Sequence, residues 1–246
     1  MSIIKFANLP ERKVTKAIIS GYDKRIIDYI RTFKVNILFT GKNNLIDPAI
    51  SDHVDVNINY LGNGEIIIDG SQKHLTECLK ESGFRVIEPY NAVSSSYPND
   101  SALNCAEFGE RLIARKKSSD KHIIKKFPED LIIDVNQGYT KCSTCIVNEN
   151  AIITDDESIN KSCRNVGIDS LLISKGDVLL SGHNYGFIGG ASALIKKNKI
   201  LFFGDITKHR DYQKIVSFLL KHRCDYAYLK DYPLTDIGGM IAIEEE

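Results

Sequence analysis

The chain has 246 residues, 43% hydrophobic and 26% charged, with 32 basic residues balancing 32 acidic ones. That length and apolar fraction support a packed core, while 17 Gly, 6 Pro and 6 dispersed Cys exclude a collagenous, disordered or disulfide-scaffold class. Zero formal charge argues against a grip on nucleic-acid phosphates or anionic membranes, and no apolar run approaches the ~18 residues of a membrane helix.

At the N-terminus, apolar spacing predicts a strand over 16–20, a helix with Ile26, Ile27 and Ile30 on one face, and a strand over 35–39. Next come strands over 56–58 and 65–68 around a turn at 62–64. A helix carrying Leu75, Cys78 and Leu79 follows, with Gly83 as its stop signal before a strand over 85–87. The same order returns as strands over 102–108 and 111–114, then Ser118-Ser-Asp120, a short helix and a strand over 131–133. It returns again as strands over 145–147 and 151–154 around the turn 148–150. There, Asp155-Asp156 opens a helix with Ile159, Cys163 and Val166 on one face, and Gly167 ends it before a strand over 170–173. The last full copy has strands over 191–195 and 200–203, a turn at 196–198, a helix carrying Tyr212, Ile215, Val216 and Leu219, and a strand over 225–229. Residues 240–243 supply one more strand.

The apolar second strands begin near residues 65, 111, 151 and 200, a period of 40 to 49 residues. Four internal copies leave a strand–helix–strand piece at one end and a lone strand at the other, which together complete a fifth. The expected fold is α/β: a five-unit pseudosymmetric ββαβ ring, an α/β propeller, formed as one domain over residues 1–246. Closing the ring with strands from both ends hides edges that would otherwise pair with other chains. The competing architecture is an open doubly wound sheet. That sheet needs parallel crossovers where this chain repeats hairpins, and no GxGxxG follows the first strand.

Three stretches resemble the pentein superfamily, whose guanidine-modifying enzymes include arginine deiminase and dimethylarginine dimethylaminohydrolase. Tyr97-Pro-Asn-Asp100, with the strand after it and Arg111-Leu-Ile-Ala-Arg115, is similar to the family's substrate-gripping acidic segment. Gly138-Tyr-Thr-Lys-Cys-Ser143 is similar to the segment bearing its catalytic His, and Thr235-Asp-Ile-Gly-Gly239 to the approach to its nucleophilic Cys. The Lys-Cys-Ser and Gly-Phe-Ile-Gly-Gly segments also resemble an uncharacterised bacterial branch, which implies no activity. The chain departs from the family pattern in three places. No Cys follows Cys224, Tyr139 stands where the His is expected, and Asn99-Asp100 keeps one carboxylate of the acidic pair. A Cys–His–carboxylate mechanism needs all three roles, so the standard triad is absent.

Asp100 follows a proline turn at an expected strand mouth, where a carboxylate holds a cation by charge-assisted hydrogen bonds or caps its own turn. Cys142 is the candidate nucleophile, because the adjacent Lys141 ammonium favours a thiolate, with Tyr139 or Lys141 as proton partner. Cys142 and Cys145 form a C-x-x-C, but it runs into a strand that turns the two thiols to opposite faces, and no second pair exists for a metal. His183 and Tyr185 lie in the glycine-rich segment 181–190, read as a lid or a tight turn. Asp236, before a pair of glycines, is a second acidic candidate at the mouth.

The catalytic expectation is therefore Cys142, Asp100 and Tyr139, with Asn99, Lys141, Ser143, His183, Tyr185 and Asp236 contacting substrate, and with no metal and no cofactor. The expected ligand is a cationic or guanidino-type small molecule, with neither nucleic acid nor membrane as partner and with homo-oligomers open. The expected reaction, where there is one, is metal-free hydrolysis or transfer at a carbon–nitrogen bond. The N-terminus shows no signal-peptide apolar region, so a reducing cytoplasm is the expected location. The alternative is a non-catalytic ring that binds a macromolecule, as the ribosome anti-association factor does with this architecture. A polar, open centre favours the first reading; a filled centre with an exposed apolar rim favours the second.

Overall fold

A computed structural model describes residues 1–21, 23–91 and 93–246 and arranges them in five small sheets. The terminal sheet holds β1 (Ser2–Ile3), β2 (Val14–Ser20), α1 (Lys24–Arg31) and β3 (Asn36–Thr40), with β16 (Ile241–Glu245) inserted between β1 and β2. After α2 (Val54–Asn57), the second sheet comprises β4 (Ile58–Gly62), β5 (Glu65–Ile68), α3 (Lys73–Glu81) and β6 (Arg85–Ile87). The third comprises β7 (Ala106–Phe108), β8 (Arg111–Ala114), α4 (Lys121–Lys126) and β9 (Ile132–Asp134). The fourth comprises β10 (Thr144–Asn148), β11 (Ala151–Thr154), α5 (Glu157–Asn165) and β12 (Asp169–Leu172). The fifth comprises β13 (Ser192–Lys196), β14 (Lys199–Phe202), α6 (Tyr212–Lys221) and β15 (Asp225–Tyr228).

Every unit has the same pairing. Its first two strands run antiparallel, and the second and third run parallel across the helix. In the terminal unit the first strand is β16, which sets Ile241 against Ile18 and Ala242 against Ala17. The first strands then touch in cyclic order: β7 against β10, β10 against β13, β13 against β16, and β16 against β4. The Asn59 side chain spans the remaining gap, donating to the Leu103 carbonyl at 3.1 Å. The architecture is the five-unit ring, and the open doubly wound sheet is excluded.

Second strands are covered on both faces and read as unbroken apolar runs. Ile66, Ile67, Ile152, Ile153, Ile200, Leu201 and Phe202 are all fully buried. Asp23, Asp120 and Asp156 cap α1, α4 and α5 by accepting from backbone N–H groups in the first turn. Some sequence expectations move. Residues 54–57 form a helical turn, so the strand expected over 56–58 begins at Ile58 instead. The strand expected over 102–108 shortens to Ala106–Phe108, because the residues before it turn inward to build the centre. Val166 caps α5 and is 53% exposed rather than facing the core, which Ile159 and Cys163 already reach. No helix among the described residues is long and apolar enough to cross a membrane.

Glu107 in β7 is buried, and its Oε1 has no hydrogen-bond partner among the described residues. Burial pushes its carboxyl up to about 8. The folded state thus keeps a proton that the unfolded chain loses near its ordinary value. Stability from this group is full at acid pH and falls as pH rises toward 8. Glu107→Gln should flatten that decline and stabilise the fold at pH 8 by roughly 2–4 kcal/mol, with little effect near pH 4, as read by urea unfolding across pH.

Candidate functional site

The residues leading into the first strands converge at the centre of the ring and are tied to one another there. Asn104, before β7, accepts on Oδ1 from the backbone N–H groups of Lys141 (2.8 Å) and Cys142 (3.1 Å). The Cys142 carbonyl accepts from Gly190 N (2.9 Å), and the Gly190 carbonyl from Gly239 N (2.8 Å) and Ile237 N (3.1 Å). One belt thereby links the third, fourth, fifth and terminal units. The second unit joins through a side chain: the Cys142 thiol donates to Asp55 Oδ2 at 2.8 Å.

Four buried groups share this floor. Asp236 is gripped by backbone: its Oδ2 accepts from Phe187 N and its Oδ1 from Gly238 N, both at 2.9 Å. His53 Nδ1 stands 3.8 Å from Asp236 Oδ1 with no hydrogen bond of its own. Asp55 Oδ1 is likewise unpartnered, and burial raises the Asp55 carboxyl to about 6. Burial, then the negative charges of Asp55 and Asp236, push the Cys142 thiol well above its usual range. At neutral pH Cys142 is a thiol. The thiolate expected from the adjacent Lys141 does not form: burial and the charges of Asp55 and Asp236 outweigh its ammonium, and Lys141 stands with Asn8, Asp55 and Ile241 instead.

Glycines make this packing possible. A Cβ on Gly190 would lie 1.9 Å from Asp236 Oδ1, and one on Gly186 would lie 2.5 Å from Asp236 Cβ. Gly238, at φ +77°, leaves room for His53, whose Cβ would be 2.5 Å from an added methyl.

Above the floor opens a cavity of ≈ 280 Å³ whose lining includes His53, Cys142 and Asp236 at the base. Aromatic rings form one wall. Tyr139 stacks on Phe187 at 6.4 Å between centroids, Tyr185 meets Phe187 edge-on, and Tyr97 packs behind Tyr139 at 5.8 Å. Tyr139 is fixed by its hydroxyl, which donates to Asp100 Oδ2 at 2.7 Å. A second cavity of ≈ 570 Å³, containing Asp23, Lys42, Asp47 and Asp52, shares His53, Leu180 and Asp236 with the first. Such a site suits a flat cation: aromatic faces on the side and the Asp236 carboxylate beneath.

Of the residues expected from sequence, Tyr139, Cys142, His183, Tyr185 and Asp236 line this cavity. The others stand elsewhere. Asp100 is behind Tyr139 and orients it rather than facing the cavity. Asn99 is exposed on the short turn before Asp100, Ser143 is buried in the belt, and neither is part of the cavity lining. His183 is on the rim with its Nε2 3.2 Å from Asp47 Oδ2, so the buried histidine of the site is His53 instead. His53, Asp55, Asn104 and Phe187 were not anticipated. The repeat itself could have found the first three, since each lies in the lead-in to the first strand of its unit, as Cys142 and Asp236 do. Among the described residues, a His53 ring nitrogen, Cys142 Sγ and an Asp236 carboxylate oxygen also form a possible metal-ligand set, all within 4.8 Å of one another.

Gly190→Ala should drive the new methyl into Asp236 and destabilise the fold by about 1–3 kcal/mol. Gly70→Ala, where nothing lies within 4 Å, is the matched control and should stay within ~0.5 kcal/mol of the parent in thermal unfolding.

No curated protein matches the chain in sequence. Solved structures match it in fold. An inosamine-phosphate amidinotransferase from Streptomyces griseus superimposes with TM-score 0.59 at 11% identity, over 98% of this chain and 97% of that chain. An amidinotransferase of the saxitoxin biosynthetic pathway from Microseira wollei gives 0.60 at 8% identity, over 99% and 97%. Agmatine deiminase from C. jejuni gives 0.54 at 9% identity, over 92% and 91%. At these identities the likeness is one of fold, and the fold is the pentein ring. The profile of the family of unknown function DUF6873 matches residues 18–241, nearly the whole chain, and the protein belongs to that family.

Proposed function

We propose that the central cavity binds a small amidino or guanidino cation and that Cys142 attacks its central carbon, making the protein a thiol-dependent hydrolase or transferase of carbon–nitrogen bonds. The observation that carries this reading is the Cys142 thiol, hydrogen-bonded at 2.8 Å to buried Asp55 on the floor of an aromatic-walled cavity that also holds Asp236. Three of the fold's relatives, two amidinotransferases and an agmatine deiminase, act on this substrate class by name.

At rest the floor is too negative to ionise the thiol. A planar cation between Tyr139 and the floor brings the compensating charge, donates N–H bonds to Asp236, and lowers the cost of a thiolate beside Asp55. The Cys142 proton passes to Asp55 as the sulfur–carbon bond forms. The carbon–nitrogen bond then breaks, and the amine departs with the proton from Asp55. Water or a second amine next displaces the sulfur, and His53 takes the proton from that incoming group and returns it to the departing Cys142 sulfur, restoring the thiol. Neutralisation by substrate explains how a buried, protonated thiol serves as nucleophile without a neighbouring base of the usual kind. The open, polar floor also supports a small-molecule site over the macromolecule-binding alternative, which needs a filled centre.

Labelling with an amidine-bearing alkylator and with a neutral one tests this, read by peptide mass mapping. Cys142 should react with the amidine reagent at least ~10-fold faster than with the neutral one, and Asp236→Asn should erase that preference. Slow, equal labelling by both reagents would sink the reading. The amidine rate should also fall as pH drops through about 6, where Asp55 takes up its own proton and ceases to accept one from the thiol. Asp55→Asn should remove that limb of the profile together with most of the rate.

A further inference from the structure

We infer that His53, Cys142 and Asp236 form a binding site for a zinc-class divalent ion, open on one side to the central cavity. The inference stands independently of the catalytic reading, though it draws on the same thiol.

Three observations carry it. First, the donor atoms come from three distant segments yet lie within 4.8 Å of one another, and all three residues are buried. A tetrahedral zinc ion with ligand bonds of about 2.0–2.3 Å needs donors about 3.4–3.6 Å apart. His53 Nδ1 and Asp236 Oδ1 are already at 3.8 Å, so the set closes on an ion with small side-chain shifts. Second, His53 Nδ1 is a buried imidazole nitrogen with no hydrogen bond, aimed at Asp236. An unpartnered polar atom of this kind is costly, and coordination is one way to satisfy it. Third, the surroundings match those of a coordinated thiolate. Asn104 Nδ2 donates to Cys142 Sγ at 3.1 Å, and the Phe187 and Gly238 N–H groups hold the Asp236 carboxylate in place.

The donor chemistry selects the ion. One thiolate, one imidazole and one carboxylate favour zinc or its cobalt surrogate over magnesium or calcium, which prefer all-oxygen sets. Binding replaces the Cys142 S–H bond with a sulfur–metal bond and releases that proton, through Asp55 or directly to solvent. Three protein ligands leave the fourth position toward the cavity, where both cavities meet at His53 and Asp236 and give the ion a path in. Ion and organic cation then compete for one negative floor. Zinc would occupy the sulfur and silence any thiol chemistry, a form of regulation by metal availability.

The expectation of a metal-free centre rested on the lone C-x-x-C, the absence of a second pair and histidines scattered along the chain. Cys145 is indeed turned into the apolar core with Ile146 and Val147. The partners of Cys142 instead come from residues 53 and 236, far away in the chain.

The test uses chelator-stripped full-length protein titrated with Zn2+ against a chromophoric competitor, and with Co2+ followed by absorption. One ion per chain should bind at ~1 µM or tighter, and Co2+ should give tetrahedral visible bands with a thiolate-to-cobalt charge-transfer band in the near ultraviolet. Cys142→Ser should abolish the charge-transfer band, and Cys142→Ser, Asp236→Asn and His53→Gln should each weaken Zn2+ by more than the ~10–100-fold typical of outer-shell changes. Cys145→Ser and His183→Ala should leave binding unchanged. Zinc should also protect Cys142 of the parent protein from the neutral alkylator, a readout that needs no variant to fold. Absence of binding, or a cobalt spectrum without the thiolate band, would overturn the inference. The amidine preference of the metal-free protein is measured separately, so each reading fails on its own data.

Discussion

Everything at the centre of this molecule depends on the seating of β16 between β1 and β2. That pairing makes the last strand of the chain the first strand of the terminal unit, and it brings the lead-in to β16 against the lead-in to β4. Asp236 and Gly238 thereby reach His53, although the two segments stand near opposite ends of the chain. Without closure the belt from Asn104 through Cys142 and Gly190 would end at the fifth unit. The carboxylate floor would lose its best-held member.

The floor concentrates groups that a stable core avoids. Asp55, Asp236, Cys142 and His53 are all buried, and two of their polar atoms have no partner. Asp55 is raised because charging it there is expensive, and the thiol is raised further because Asp55 and Asp236 are already negative. A site of this type trades stability for readiness. Buried Lys141 offsets part of this negative charge, and the proposed organic or metallic cation would offset more of it from the cavity side. The glycines at 186, 190 and 238 serve the same arrangement from the backbone side by allowing main chain and carboxylate to approach where any side chain would collide.

Much of this was legible in the amino-acid order. The repeating hairpin–helix–strand units, the helix-capping aspartates at 120 and 156, and the split terminal unit all follow from local spacing, and each is present in the structure. Tyr139, Cys142, Tyr185 and Asp236 were also readable, since each sits beside a glycine-rich or turn-forming segment at a strand mouth. His53 and Asp55 were passed over, although the repeat places them in the lead-in to a first strand. They sit at and just inside a single helical turn, where Val54 and Val56 alternate with polar residues and read as the start of the strand. Lys141 shows the reverse error: chain adjacency to Cys142 suggested electrostatic help, whereas burial and the carboxylates of Asp55 and Asp236, remote in sequence, decide the state of the thiol.

The sequence by itself determined the unit, its number and its closure, because hydrophobic periodicity, turn residues and caps act over a few residues and need no knowledge of the whole. Only the tertiary structure decided which polar side chains meet. Cys142 acquires its character from Asp55 of the preceding half of the ring and from Asp236 near the C-terminus. Those contacts are set by the cyclic order of five units around one centre. Burial, and the charge of residues remote in sequence, then hold that thiol in its protonated form.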